Sequence, residues 1–311
     1  MNALTDTFED GRRAASTQKR PLRMRLAQRG FDGVTLLMLP AVLFVILLFV
    51  YPFMYGLFLS FEPKKMATEG IFANYITFFN DPFLFDTIWK TLRLAVPVSI
   101  LNVALSIPIA MRVRLMRRQR LLTTILVIPI TLGTVLIAEG LLNYLGPQGW
   151  LNRTLITFHL IDGPIRLVHN YAGVFLSLLI SGFPFTFLLT LSYVTGIDPS
   201  LEQAASTLGA NARARFRYVI LPLLAQGLAI AFCLTFVQMF SVFPSAVLLG
   251  EPAGSTRVIS IAAYVAAFEE YDYSMASAIA MIMGFVQLLI VVLILASRHI
   301  FYRGPAGGAK G

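Results

Sequence analysis

Six long apolar runs dominate this chain, near residues 34–61, 88–111, 121–145, 171–195, 223–249 and 274–297. Each has the roughly 20 residues needed to cross a hydrocarbon layer about 30 Å thick. Composition agrees, with 57% hydrophobic and 13% charged residues, where a soluble domain carries about 25% charged. A backbone in lipid must satisfy its own hydrogen bonds, which leaves helices or closed barrels. The runs lack the period-two alternation of barrel strands. The expected fold is therefore an all-α integral membrane protein with six transmembrane helices.

Charge in the connections sets the orientation. Arg12, Arg13, Lys19, Arg20, Arg23, Arg25 and Arg29 precede the first run, and Arg112, Arg114, Arg117, Arg118 and Arg120 follow the second without an acid among them. Arg213, Arg215 and Arg217 follow the fourth, and Arg298, Arg303 and Lys310 close the chain. The connection after the fifth run holds Glu251, Glu269, Glu270 and Asp272 against Arg257 alone. Every second connection is basic, which places both termini in the cytoplasm. The net charge of +9 is mostly this asymmetry, and bases that flank spans instead of forming one patch give no nucleic-acid surface. The first run exceeds the roughly 7–15 residues of a secretory h-region, so it reads as a retained anchor. Cys233 is the single cysteine, which excludes a disulfide or thiolate cluster within one chain.

Four regions follow: a basic cytoplasmic arm over residues 1–32, a first span with an external segment over 33–86, a core of spans two to six over 87–300, and a flexible tail over 301–311. The external segment contains Phe72-Ala73-Asn74-Tyr75 and Asn80-Asp81-Pro82, expected as a short interfacial helix and a turn. Gly146-Pro147-Gln148-Gly149 ends the third span, and residues 150–160 read as an amphipathic helix anchored by Trp150. Prolines 40, 52, 97, 108, 129, 184 and 244 fall in or near spans, where each removes a donor and can kink a helix.

A short polar segment between the fourth and fifth spans runs Asp198-Pro199-Ser200-Leu201-Glu202-Gln203-Ala204-Ala205-Ser206-Thr207-Leu208-Gly209. Asp198 can cap a helix that starts at Pro199, and Glu202 in the first turn suits its dipole. Gly209 is placed to end it in a left-handed conformation, with a second short helix from Asn211. Ala204 and Ala205 leave a face with little bulk. By spacing alone this is either an ordinary amphipathic loop or a surface on which a partner docks.

Glu202-Gln203-Ala204-Ala205, then Gly209, then Ile220-Leu221-Pro222 resemble the signature loop of the permease subunits of type I ABC importers. Asn74-Tyr75 with Asp81-Pro82, Leu145-Gly146-Pro147-Gln148-Gly149-Trp150-Leu151-Asn152 and Leu248-Leu249-Gly250 extend the resemblance from about residue 74 to 303. Permeases of the spermidine/putrescine type are most similar, although this chain has Ser241-Val242-Phe243-Pro244 where those often carry an acid before Leu-Leu-Gly. The resemblance implies an inner (plasma) membrane permease that moves a small polar solute by alternating access, and the spermidine/putrescine type implies a polyamine-like one. Its implied partners are a second permease subunit, taken as a different chain, two cytoplasmic ATPase subunits that hold ATP and Mg, an extracytoplasmic substrate-binding protein, and membrane lipid. It implies that the signature loop is a cytoplasmic coupling helix, with Glu202, Gln203, Ala204, Ala205 and Gly209 at the ATPase. No Gly-x-x-x-x-Gly-Lys-Ser/Thr phosphate loop occurs in the sequence, and His159, His169 and His299 have no metal-site spacing. The chain is expected to be no enzyme, with neither catalytic residues nor a cofactor or metal of its own.

Glu139 is the clearest ionisable residue within a span, with Asn143 one turn on. It either faces the solute path or pairs near the outer end. Gln238 and Ser241 form a second polar face, with Asn102 and Gln287, for which interhelical hydrogen bonding is the expected role. An ion-coupled secondary transporter is the alternative, and it predicts buried mid-membrane charge. A membrane enzyme would need a catalytic cluster that the sequence does not offer.

Overall fold

The computed structural model describes residues 33–62 and 70–301. The basic arm, most of the tail and part of the external segment lie outside the described residues. The chain divides into two units, the first ending at Phe58 and the second beginning at Leu59. The first unit holds helix α1 (Gly33–Val45), a π turn (Ile46–Val50) and most of α2 (Tyr51–Ser60). These residues are apolar on every side, as a helix within lipid must be.

In the second unit α3 (Ala73–Asn80) leads into α4 (Pro82–Val113), the second span. The expected turn at Asn80-Asp81-Pro82 is the start of that span. The Phe83 N–H donates to Asp81 Oδ1 at 2.8 Å, and Pro82 occupies the first helical turn, where no donor is missed. At 1.5 Å per residue α4 is about 48 Å long, more than the hydrocarbon layer requires.

The third span, α5 (Gln119–Leu145), is interrupted. Gly133 has φ +75° and ψ 163°, a region open essentially to glycine alone. The apolar run over 121–145 was expected to be one continuous helix. Pro129, one turn earlier, already withholds a backbone donor, and Gly133 then turns the chain. Beyond the span, a helix stands where one was expected over residues 150–160, and it is three residues shorter: α6 (Trp150–Thr157). Buried Asn152 holds it in place, donating to the carbonyls of Gly146 (2.9 Å) and Ile165 (3.0 Å) while accepting from the Ile165 N–H (2.8 Å).

The fourth span, α7 (Tyr171–Thr195), starts from an Asn170 cap and is followed by α8 (Pro199–Thr207) and α9 (Ala212–Arg215). A π turn (Phe216–Ile220) leads into α10 (Leu221–Phe240), and Pro222, which has no N–H, stands in the first turn of that helix. The fifth span was expected to reach residue 249 and instead ends at Phe240. Pro244 cannot continue the preceding hydrogen bonding and opens a separate helix, α11 (Pro244–Leu248). Helix α12 (Ile259–Tyr264) and a π turn (Val265–Glu269), neither expected from the sequence, precede the sixth span, α13 (Tyr273–Phe301).

Helices α4, α7 and α10 form the centre of the second unit. Toward the N-terminal end of α4, Leu94, Val98, Leu178, Phe236 and Phe240 pack with Ile259 of α12 and Ile279 of α13. Toward its other end, Ala110, Phe187, Leu191, Ile220 and Leu224 form a second core. Hydroxyl pairs cross the seams, with Ser106 to Thr190 at 2.7 Å, Thr186 to Thr235 at 2.8 Å and Ser177 to Ser245 at 2.9 Å. Small polar residues let helices approach closely and bond across lipid-depth interfaces. Helix α5 packs on α7 and leaves Leu121, Ile128, Val135 and Leu136 exposed.

Candidate functional site

The segment between spans four and five folds as its residues dictate. The Ser200 N–H donates to Asp198 Oδ1 at 2.8 Å and starts α8. That backbone hydrogen bond holds the Asp198 carboxyl below its ordinary range, with a side-chain bond from Ser200 adding to it. At the other end Gly209 has φ +85°. Its N–H donates to the Ser206 carbonyl (3.0 Å) and the Ala210 N–H to the Ala205 carbonyl (3.0 Å). This is the paired Schellman closure that a glycine in the left-handed region permits. Asn211 then caps α9, accepting from the Ala214 N–H at 2.8 Å.

The helix has two distinct faces. Leu201, Ala204 and Leu208, spaced at i, i+3 and i+7, are exposed together, Leu208 to 89% of its full surface. Gln203 and Gly209 are exposed as well, whereas Glu202 and Ala205 are partly buried on the inner face. Glu202 Oε1 accepts from Arg114 Nη2, a residue at the C-terminal cap of α4. The two side chains are 20% and 12% exposed. A cavity of about 710 Å³ lies beside the pair, bounded by Pro108, Met111 and Arg112 on one side and Arg215, Phe216 and Leu221 on the other. In the sequence Arg114 stands only as one of the bases that set the orientation, and Leu208 is not among the expected contacts. The available signal was a bulky apolar residue at the last turn of a polar helix, immediately before its terminating glycine.

At the opposite end of α4, the Arg257 guanidinium lies 4.3 Å from the centre of the Phe83 ring, a cation–π contact. A cavity of about 520 Å³ there is lined by Asn74, Asp81, Arg257, Glu270 and Asp272 among others. Among the described residues no three His, Cys, Asp or Glu side chains gather closely enough to hold a metal ion.

The expected path residues separate into two pairs. Glu139 and Asn143 are exposed on α5, and the Asn143 amide donates to the Glu139 carbonyl (3.0 Å) and to its Oε1 (3.4 Å). Gln238 and Ser241 are exposed at the end of α10, and Gln287 Nε2 reaches from α13 to Ser241 Oγ at 2.6 Å and to the Val237 carbonyl at 3.2 Å. No hydrogen bond joins the two pairs. Gln287 thus has the interhelical role expected of it. Asn102 does not: it is fully buried, and neither its Nδ2 nor its Oδ1 has a partner. Its neighbours on α4, Ser99 and Ser106, satisfy their own hydroxyls on carbonyls one turn back and leave it none.

Residues 100–305 match the family described as binding-protein-dependent transport system inner membrane component. The chain is 26% identical over 284 residues to the sulfate transport system permease protein CysT of Salmonella typhimurium, covering 90% of this chain and 98% of that protein. It is 28% identical over 235 residues to the spermidine/putrescine transport system permease protein PotB of Haemophilus influenzae, covering 73% and 80%. Among solved structures, a chain of a bacterial alginate ABC transporter in complex with its alginate-bound periplasmic protein superposes with a TM-score of 0.75. The identity there is 23%, with 92% of this chain and all of that chain covered. Relatives named for sulfate stand beside those named for spermidine/putrescine, so the likeness does not single out the polyamine type.

Proposed function

The chain belongs to the family of binding-protein-dependent transport inner membrane components, the permease component of an ABC importer, and on that premise we propose how it couples transport to ATP. In this reading both termini and α8 lie in the cytoplasm, as the basic connections indicate. Helix α8 is the coupling helix. Two separate ATPase subunits bind ATP and Mg and dock on its outer face, and a second permease subunit completes the path. An extracytoplasmic binding protein delivers a small polar solute and sets which solute that is.

The observation that carries the proposal is the face formed by Leu201, Ala204 and Leu208. A leucine exposed to 89% at the end of a rigidly capped helix costs apolar hydration unless a partner covers it. Its neighbours Ala204 and Gly209 leave room for that partner to approach. Closure of the ATPase pair moves α8 and shifts the bundle between inward-open and outward-open populations. Glu139 with Asn143, and Gln238 with Ser241, are the proposed contacts of the moving solute. No observation favours the ion-coupled alternative.

The test is Leu208→Asp in the assembled transporter. Membrane insertion should persist, while stimulation of ATP hydrolysis by the loaded binding protein falls roughly tenfold or more, as for loss of an interface anchor. Unchanged stimulation would remove α8 from the ATPase interface.

A further inference from the structure

The ion pair between Arg114 and Glu202 joins the end of the second span to α8 across 88 residues of chain. We propose that Arg114 is a positioning residue for coupling, fastening α8 to α4 so that displacement of α8 reaches the second span directly. Without that link α8 would act only through the chain, on spans four and five. The inference rests on the reading of α8 as the coupling helix.

Three observations carry it. Arg114 moves with α4, because its N–H donates to the Ala110 carbonyl at 3.0 Å and caps that helix. The pair is shielded, at 12% and 20% exposure, so salt screens it less than an open surface pair. Among the described residues Glu202 is also the only acid on a cavity wall that carries Arg112, Arg114 and Arg215. Without Glu202 these cations would be left together, and the buried Arg114 Nε already lacks a partner. A base needed only for topology requires no such contact. Helix α4 is also a suitable receiver, since it packs against α7, α10 and α12 and extends to Asp81 and Phe83 at the other end. A pull on Arg114 therefore reaches the whole central bundle.

The test uses the assembled transporter in liposomes and measures ATP hydrolysed per solute taken up. Arg114→Glu and Glu202→Arg should each keep the ATPase subunits bound yet raise that ratio about fivefold or more. The double reversal should return it to within about twofold of the original. An unchanged ratio in the single variants, or a double variant no better than they are, overturns the proposal. If a single variant fails to assemble, recovery of the complex in the double variant supports the pairing, and failure to recover overturns it. Leu208→Asp separates the two readings. If it abolishes ATPase stimulation while Arg114→Glu leaves the ratio unchanged, the link alone is wrong. If it leaves stimulation intact, the coupling-helix reading fails and the link falls with it.

Discussion

The side-chain amide of Asn74 donates to the hydroxyl of Ser274, 3.2 Å away and 200 residues further along the chain. It also donates to the Ser60 carbonyl at 3.0 Å, while Ser274 Oγ donates to the Leu59 carbonyl at 2.9 Å. These bonds tie α3 and the start of the sixth span to the residues that close α2. Asn74 is 7% exposed, so removing its amide forfeits two hydrogen bonds inside the protein, at about 0.5–1.5 kcal/mol each. Asn74→Ala is expected to lower the melting temperature of the detergent-solubilised protein, and Asn74→Leu to do the same despite its greater apolarity. An unchanged melting temperature in both would show that these bonds are not holding α3.

The turn at Gly133 should not accept a side chain. Its φ of +75° with ψ of 163° would cost an L-residue about 1–3 kcal/mol, although no atom beyond its chain neighbours and its own helix backbone lies within 4 Å of where a Cβ would stand. Gly133→Ala and Gly133→Val are expected to destabilise the protein to similar extents, because the penalty is in the backbone and not in crowding. A much larger loss for valine than for alanine would point to crowding instead.

Asn102 invites the opposite result. Both polar atoms of its amide are buried without a partner, a penalty of about 1–3 kcal/mol. Asn102→Leu keeps the branched heavy-atom skeleton, with methyl groups in place of the amide oxygen and nitrogen, and is expected to raise the melting temperature by a few degrees. A fall would show that the amide is satisfied in the membrane, for example by a water.

The cap of α8 gives a pH expectation. Because the Asp198 carboxyl is held below its ordinary range in the folded protein, its contribution is complete above the unfolded value near about 4. It is lost only as the pH falls through the lower folded value. Coupled ATPase activity should therefore show no Asp198-dependent change between about pH 5 and 8. Asp198→Asn, which also caps, should behave like the original, and Asp198→Ala should weaken coupling. Equal activity of the Ala and Asn variants would exclude a role for the cap.

Much of this was legible in the sequence because lipid makes the constraints severe. A run of about 20 apolar residues has few alternatives to a helix, and the spans were found within a few residues at most ends. The Asp198 cap, the Gly209 closure and the Asn211 restart were readable because each rests on local backbone chemistry. The break at Gly133 was not, since a glycine in an apolar run carries no mark of its φ. The early end at Phe240 was signalled by Pro244 but obscured by the apolar residues around it. The inward turn of Glu202 and the approach of Arg114 depend on packing between elements 88 residues apart, which local pattern cannot supply.

The most direct test of the central claim is to place a photo-reactive amino acid at Leu208 in the assembled transporter and identify what it captures. Covalent attachment to an ATPase subunit, diminished when the ATPase is released, is the expected result. Attachment only to lipid or to the binding protein would contradict the assignment of α8 as the element that receives the work of ATP hydrolysis.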